Sequence, residues 1–408
     1  MLGTKFSPTS FFWYHMLMVA PFSSSKERFL IVQVGAKGFS ALPLDFDEKR
    51  ELSLGKAVVG DDFKKFLTDQ AGSIFQKSWE GKYFFNSRRR LVVLAGDSLA
   101  TTLPIPLDFK RSADRAGEPI TVGEVEDWFA RATAKIFSRC RAEAGQRLDV
   151  GDVDTVLVNQ RVERIAIDGH SVAHPVGHVG EKVSFVIELT FARRELSDLL
   201  APFFNAPGEF FFAEAPQARL AALARVRSFP INMIVASSEG AAASLFVFEE
   251  AEKGCPVAYR EPFPWDATAT VRTIEIALGV SRSAAEELYE RYLAGTVSED
   301  AKKYFDAKSA TNKERFFSAV DKANIHGPVY VDAPYPLPFA LPHRRGKAIL
   351  EEVPVAALFE KFGFSVPEDT KIDPGTALRY LAPFFELYFD NNRSELNDIL
   401  RRKLHWLA

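Results

Sequence analysis

The sequence predicts a two-lobed α/β protein, and three observations predict it. A strand–turn–strand unit near residue 30 (FLIVQVG, AKG, FSALPLDF) is matched by a second near residue 235 (NMIVAS, EGAAAS, LFVFEEAEKGCPVAYREPF). Amphipathic helical stretches alternate with short apolar strands between and after them. The length of 408 residues, 47% of them hydrophobic and 26% charged, is enough for two or three separate cores. The near balance of 51 basic and 54 acidic residues excludes a polyelectrolyte, so no nucleic-acid partner is expected. Cys140 and Cys255 are too few and too far apart for a disulfide framework or a cysteine zinc site, and they fit a reducing compartment.

Taken in order, residues 28–46 read as two buried strands around a glycine turn, and 61–78 as a helix. Residues 90–95 (RLVVLA) form a short buried strand, 98–107 continue extended, and 111–119 form a charged loop. Thr121 caps a long helix, with Glu124 at the capping-box position. Residues 153–167 and 182–191 are strand-like and flank the loop DGHSVAHPVGHVGE; 193–203 and 215–226 are helical in pattern. In the second half, 269–292 and 301–324 read as helices, 328–331 as a strand and 376–389 as a helix. The proline-rich DAPYPLPFALP follows the late strand.

The two ends differ. The run FFWYHMLMVAPF at 11–22 is shorter than the ~20 residues a membrane span needs. His15 interrupts it and no small-residue cleavage site follows, so a surface-packed or membrane-touching arm is expected rather than a signal peptide. The last segment reads SELNDILRRKLHWLA. On a helix, Leu396, Ile399, Leu400, Leu404, Trp406 and Leu407 share one face, Arg401, Arg402 and His405 the other, and Lys403 snorkels from the apolar sector. Such a helix lies on an anionic membrane or docks on its own domain, and the pattern alone leaves both readings open.

The order of these elements resembles the actin-like ATPase superfamily, within it the FtsA/PilM branch. The middle segment carries the resemblance best. ITVGEVEDWFARA looks like an FtsA helix, and the run from Asp154 to Ala192 looks like strand, D-G turn, "N-P-V-G-x-x-G" and strand. Asp168, Gly169, Pro175, Val176, Gly177 and Gly180 match, with His174 in place of Asn. Downstream, APQARLAALARV, IALGVSRSAAEELYERY and DPGTALRYLAPFFELY resemble the helix into the second lobe, a second-lobe helix and the closing helix. The resemblance implies an actin-like (ribonuclease H-like) fold with an inserted SHS2-like α+β subdomain. Its expected layout is an arm at 1–27, a first lobe at 28–86 and 197–230, and the insertion at 87–196. A second lobe with the closing helix at 231–393 and an amphipathic helix at 394–408 complete it. It also implies partner contacts around Asp168, Gly169, His174, Pro175 and Gly177, and membrane contact through Leu396–Leu407.

The nucleotide motifs of that superfamily are degenerate here. The first hairpin has Gln33-Val34-Gly35-Ala36 where the family has D-I-G-[ST], so an amide replaces the Mg-side carboxylate. Lys37 follows. The second has Ser237-Ser238-Glu239-Gly240-Ala241-Ala242-Ala243-Ser244 where the family has D-I-G-G-G-T-T-D. Both aspartates are serines, and Glu239 beside a phosphate costs about 4 kcal/mol at an effective dielectric of about 20. The glycine-rich adenosine turn is replaced by Asp332-Ala333-Pro334-Tyr335-Pro336, and the helix lysine near the base by Tyr289, while Glu286 is kept. All three loops failing together predicts a pseudo-ATPase with no catalytic residue, no resident metal and no cofactor, ATP included.

Other constellations are discounted. His170, His174 and His178 are spaced for a helical metal face, but Gly169, Pro175 and Gly177 oppose a helix there. The basic runs 88–90 and 343–345 read as solvated edges. The expectation is therefore a scaffold on the cytoplasmic, inner face of the cell membrane, as an FtsA-like cell-division adaptor or a PilM-like pilus-assembly protein bound to a partner peptide. An ATP-binding homologue with relaxed motifs is the third reading, and self-association into oligomers or filaments is left open.

Overall fold

The computed structural model describes residues 26–75, 89–204, 210–236, 242–251, 255–337, 339–368, 370–389 and 395–404. The first hairpin forms as its alternation dictates. Strand β1 (Glu27–Gly35) runs antiparallel to β2 (Gly38–Phe46), with Gly35 opposite Gly38. Phe29 and Ile31 enter one core, and Leu30, Val32 and Val34 the core on the opposite face. Strands β3 (Leu52–Leu54) and β4 (Val58–Gly60) both pair with β2. After α1 (Phe63–Phe75), β5 (Arg89–Ala95) returns parallel to β1.

The chain then leaves this sheet to build another. Strands β6 (Ala100–Lys110), β7 (Thr155–Ile167), β8 (His170–Ser171) and β9 (Lys182–Arg193) form an antiparallel sheet, order β6-β9-β7-β8, on which the long helix α2 (Val122–Leu148) packs. The capping box expected at Thr121 is present: Thr121 Oγ1 accepts from Glu124 N, and the Glu124 carboxylate accepts from Thr121 N. Trp128 and Phe129 of α2 pack on Phe185 of β9.

The chain comes back through α3 (Arg194–Phe204), β10 (Phe210–Glu214), which lies parallel to β5, and α4 (Ala215–Ala224). The second lobe opens with β11 (Ile231–Val235), β12 (Ala243–Ala251) and β13 (Cys255–Phe263). Helices α5 (Ala269–Leu278), α6 (Arg282–Leu293) and α7 (Glu299–Lys322) precede β14 (Gly327–Asp332), β15 (His343–Arg345) and β16 (Ala348–Leu350). Helix α8 (Val355–Phe362), the short α9 (Pro374–Thr376), a π-helical stretch Ala377–Leu381, α10 (Ala382–Phe389) and α11 (Glu395–Leu404) end the described chain.

The first sheet reads β10-β5-β1-β2-β3 and the second β13-β12-β11-β14-β16-β15. In each, three antiparallel strands are followed by two that run parallel to the first. The coarse duplication read from the sequence is thus a duplication of topology. Helices α4 and α10 lie between the two sheets, in a core that joins Phe29 and Ile31 to Met233, Phe246, Phe384 and Phe385.

Several expectations need correction. The helix expected over 269–292 is two helices, because Gly279 takes φ 63° and ends α5. Residues 89–95 belong to the first lobe, since β5 pairs with β1; the inserted sheet begins at β6 rather than at 87. The closing helix α10 packs on the first sheet, Phe384 against Phe29 at 4.9 Å, as well as facing the second. Strands β3, β4, β10, β15 and β16 and helix α8 were not anticipated; all but β10 and α8 are three residues long and too short to show a period.

The last correction concerns α11. Leu396, Ile399 and Leu400 are 2%, 1% and 0% exposed, buried in the core of the inserted sheet. Asn397 Oδ1 accepts from Val162 N at 2.7 Å, beside the β7 bulge at 162–164 that frees this N–H from the ladder. Arg402 reaches Glu126 of α2 at 3.3 Å. Those apolar side chains therefore face protein, and the membrane face expected from Leu396, Ile399 and Leu400 is not available as the helix stands. Trp406 and Leu407 lie outside the described residues, and nothing is described of the Arg401, Lys403 and Leu404 side chains. Among the described residues no helix is long and apolar enough to cross a membrane.

Candidate functional site

The candidate site residues stand at the C-terminal ends of β1 and β14, on the β11–β12 hairpin and on α6. On the first lobe, Gly35, Ala36 and Lys37 are exposed in the β1–β2 turn. Gly38 closes this turn for a packing reason: a Cβ there would stand 2.6 Å from the Gly60 carbonyl oxygen of β4. Gln33 Oε1 is buried and has no hydrogen-bond partner among the described residues. On the second lobe, Glu239 and Gly240 lie outside the described residues; the described chain resumes at Ala242, and Ser244 is the second residue of β12.

Three further residues singled out from the sequence meet in one place. Tyr335, on the turn after β14, donates its hydroxyl to Glu286 Oε1 at 2.5 Å. Arg282 Nε donates to the same oxygen at 2.8 Å, and its Nη2 to Tyr335 Oη at 3.0 Å. The Tyr335 ring stands edge-on to Tyr289 at 5.9 Å, and Tyr289 is itself buried. Burial and the hydrogen bond to Glu286 push the Tyr335 hydroxyl up to about 12. Burial opposes ionisation of Glu286, but the bonds from Tyr335 and Arg282 outweigh it and hold the carboxyl below the usual range.

Asp332, at the C-terminal end of β14, is a buried carboxylate shared by two arginines. Arg219 Nη1 of α4 bonds one oxygen, and Arg379 Nε of the π-helical stretch donates to the other at 2.8 Å. Burial pushes this carboxyl up, and the two guanidiniums more than reverse it. Arg379 also donates to the Ala333 carbonyl. The turn after β14 is therefore bound on two sides, through Asp332 to the helices between the sheets and through Tyr335 to α6.

Sequence reasoning missed Arg219, although an arginine inside the otherwise apolar APQARLAALA was the available signal. It also missed Glu214, Asp97 and Arg260. Glu214, at the C-terminal end of β10, accepts from Thr102 N at 2.5 Å, and burial pushes its carboxyl up to about 7. It lines a cavity of about 20 Å³, room for about one water, together with Arg161, Glu188, Gln217 and Glu386. Asp97 accepts from Ser244 Oγ of the opposite lobe at 2.8 Å.

The loop expected to hold partners is explained by its own architecture. Asp168 and Gly169 take φ 49° and 87° in the β7–β8 turn, and the Asp168 carboxylate accepts from Glu181 N and Lys182 N. His174 Nδ1 accepts from Val176 N at 3.2 Å, and Pro175 is buried. Gly177, at φ 87°, donates its N–H to the Ile120 carbonyl, tying the loop to the start of α2. A Cβ on Gly180 would lie 2.2 Å from Ile167 Cγ2. Among the described residues no group of histidine, cysteine or carboxylate side chains is spaced to hold a metal.

The strand orders of both sheets define a two-lobed actin-like fold with an inserted antiparallel sheet. No family model matches the sequence, and no curated protein matches it. Similar solved structures include the PilM–PilN type IV pilus biogenesis complex, 13% identical over 92% of this chain and 98% of that one, TM-score 0.41. A Bacteroides thetaiotaomicron protein of actin-like ATPase fold and unknown function is 10% identical over 76% and 84%, TM-score 0.31. A Balamuthia mandrillaris glucokinase in complex with glucose is 7% identical over 77% and 81%, TM-score 0.36. These likenesses are too distant to bear on what this chain does.

Proposed function

We propose that the chain is a non-hydrolysing actin-like scaffold that binds assembly proteins at the cytoplasmic face of a membrane. The observation that carries this reading is Tyr335. Its ring fills the gap between α6 and the turn after β14, where the resemblance puts a nucleoside, and its hydroxyl is committed to Glu286. A base bound there would have to displace it from both Glu286 and Tyr289. Gln33 and Ser244 in place of two carboxylates support the same reading, because nothing at these positions would act through water on Mg²⁺.

The inserted sheet, read here as SHS2-like, is the proposed partner-binding part. With Leu396, Ile399 and Leu400 of α11 built into its core, contact with the membrane is assigned to a partner rather than to this helix. That favours a PilM-like role in type IV pilus assembly, through a segment of an inner-membrane protein. An FtsA-like cell-division adaptor is the second reading, favoured by the exposed Asp168–Gly169 turn and the P-V-G run. Isothermal titration with Mg-ATP and Mg-ADP, with phosphate release followed in parallel, is expected to give neither heat nor phosphate. Micromolar binding with turnover would overturn the scaffold reading and restore an ATP-switched homologue.

A further inference from the structure

The two lobes meet directly through three side chains from distant parts of the chain. Asp97 sits on the turn that leaves β5, and Gly96 N donates to the Val34 carbonyl at 2.8 Å, which roots that turn on β1 of the first lobe. Ser244 and Arg260 stand on neighbouring strands of the second lobe, where β12 and β13 place Ser244 opposite Pro262 and Phe246 opposite Arg260. The even-numbered positions thus share one face, and this face is turned to Asp97.

The contacts are dense. Ser244 Oγ donates to Asp97 Oδ2 at 2.8 Å, and Arg260 Nη2 lies 2.9 Å from the same oxygen. Arg260 Nη1 donates to the Asp97 backbone carbonyl at 2.9 Å, and Arg260 Nε to Ser244 Oγ at 3.2 Å. All three guanidinium nitrogens are engaged, and the group lies over the Phe246 ring at 5.8 Å. Arg260 and Asp97 side chains are 21% and 22% exposed, so the pair is shielded but still reached by solvent. A planar fork that grips both a carboxylate and a backbone carbonyl on one residue fixes orientation as well as distance.

We propose that Asp97, Ser244 and Arg260 form an interlobe clasp that fixes the angle between the lobes through protein groups alone. A two-lobed fold ordinarily closes around what it binds, and here the contact that closure would create is already made by protein groups. The clasp fixes the angle between the lobes, and with it the relative placement of the inserted sheet and the second lobe that any partner spanning them would meet. It goes beyond the scaffold reading and does not depend on it.

The test is small-angle X-ray scattering of the full chain, with trypsin cleavage as a second readout. The wild type at 0.1 M NaCl is expected to give a radius of gyration that Mg-ATP does not reduce. Arg260→Ala and Asp97→Asn are each expected to raise it and to speed cleavage several-fold. If a variant does not fold by circular dichroism, Arg260→Gln, which keeps a polar side chain but removes the charged fork, substitutes for it; the same expansion is expected. Folded variants that scatter as the wild type would overturn the clasp. So would a wild type that contracts on adding Mg-ATP. Phosphate release by a protein that still shows the clasp signature would overturn the scaffold reading alone.

Discussion

Asp332 shows how the interior between the lobes is held. One buried carboxylate faces two guanidiniums, and Arg219 keeps its Nε and Nη2 without a hydrogen-bond partner among the described residues. Removing one member of a buried ion pair costs about 3–5 kcal/mol when the partner is left uncompensated. Asp332→Asn leaves the buried Arg219 without a counter-charge, whereas Arg219→Met leaves Asp332 still paired with the part-exposed Arg379. Urea unfolding should therefore rank Asp332→Asn as clearly less stable than Arg219→Met, and the reverse order would refute the shared-carboxylate account. Glu214 gives a pH prediction of the opposite kind. Its folded carboxyl is raised from 4.5 to about 7, so its contribution is full below about 4.5 and lost as pH rises through 7. The loss is on the order of 3 kcal/mol at 1.36 kcal/mol per pH unit. Arg161, Arg260, Gln217, Glu188, Glu386, Asp97 and Thr102 surround this group, and of these Arg260 and the Thr102 hydrogen bonds oppose the rise while Asp97 adds to it. Wild-type stability should fall between pH 5 and 8 relative to Glu214→Gln, and parallel curves would exclude the assignment. Sequence reading located Asp332 but neither arginine, because 113 and 47 positions separate the partners and no local pattern links them.

At the scale of elements, α11 and β6 are decided by what they pack against. Helix α11 supplies Leu396, Ile399 and Leu400 to a core otherwise made by α2 and the inserted sheet. Leu400→Ala should cost about 2–5 kcal/mol, as for other fully buried leucines. Hydrogen exchange should show the loss of protection concentrated in β7, α2 and α11, with the two lobes unchanged. Uniform loss, or none, would mean that the helix is not part of that core. Strand β6 is an edge of its sheet, and its free side is nearly without donors. Proline has no N–H, so Pro104 and Pro106 occupy positions whose N–H would point away from β9. Thr102, at the same parity, gives its N–H to Glu214. Such an edge discourages addition of another strand. The alternation that made β6 a strand was visible in the sequence, as was the capping box of α2. The side of the sheet that α11 covers was not, because an amphipathic helix has the same pattern whether a membrane or a protein core receives its apolar face.

For the whole molecule, the paired strand orders are the main result. Each lobe places three antiparallel strands beside two parallel ones, and the space between the sheets is filled by alanine and leucine side chains of α4 and aromatic side chains of α10. The sequence by itself determined the two hairpins, the long capped helix, the loop between β7 and β9 and the loss of carboxylates at Gln33 and Ser244. These are local properties, set by period, turn chemistry and residue type within a few positions. Tertiary structure alone decided that β5 belongs to the first lobe, that α11 closes the inserted core, that Tyr335 fills the gap beside α6, and that Asp97 meets Arg260. Each of these depends on contacts between residues dozens to hundreds of positions apart, and burial against a particular neighbour leaves no mark in either segment alone.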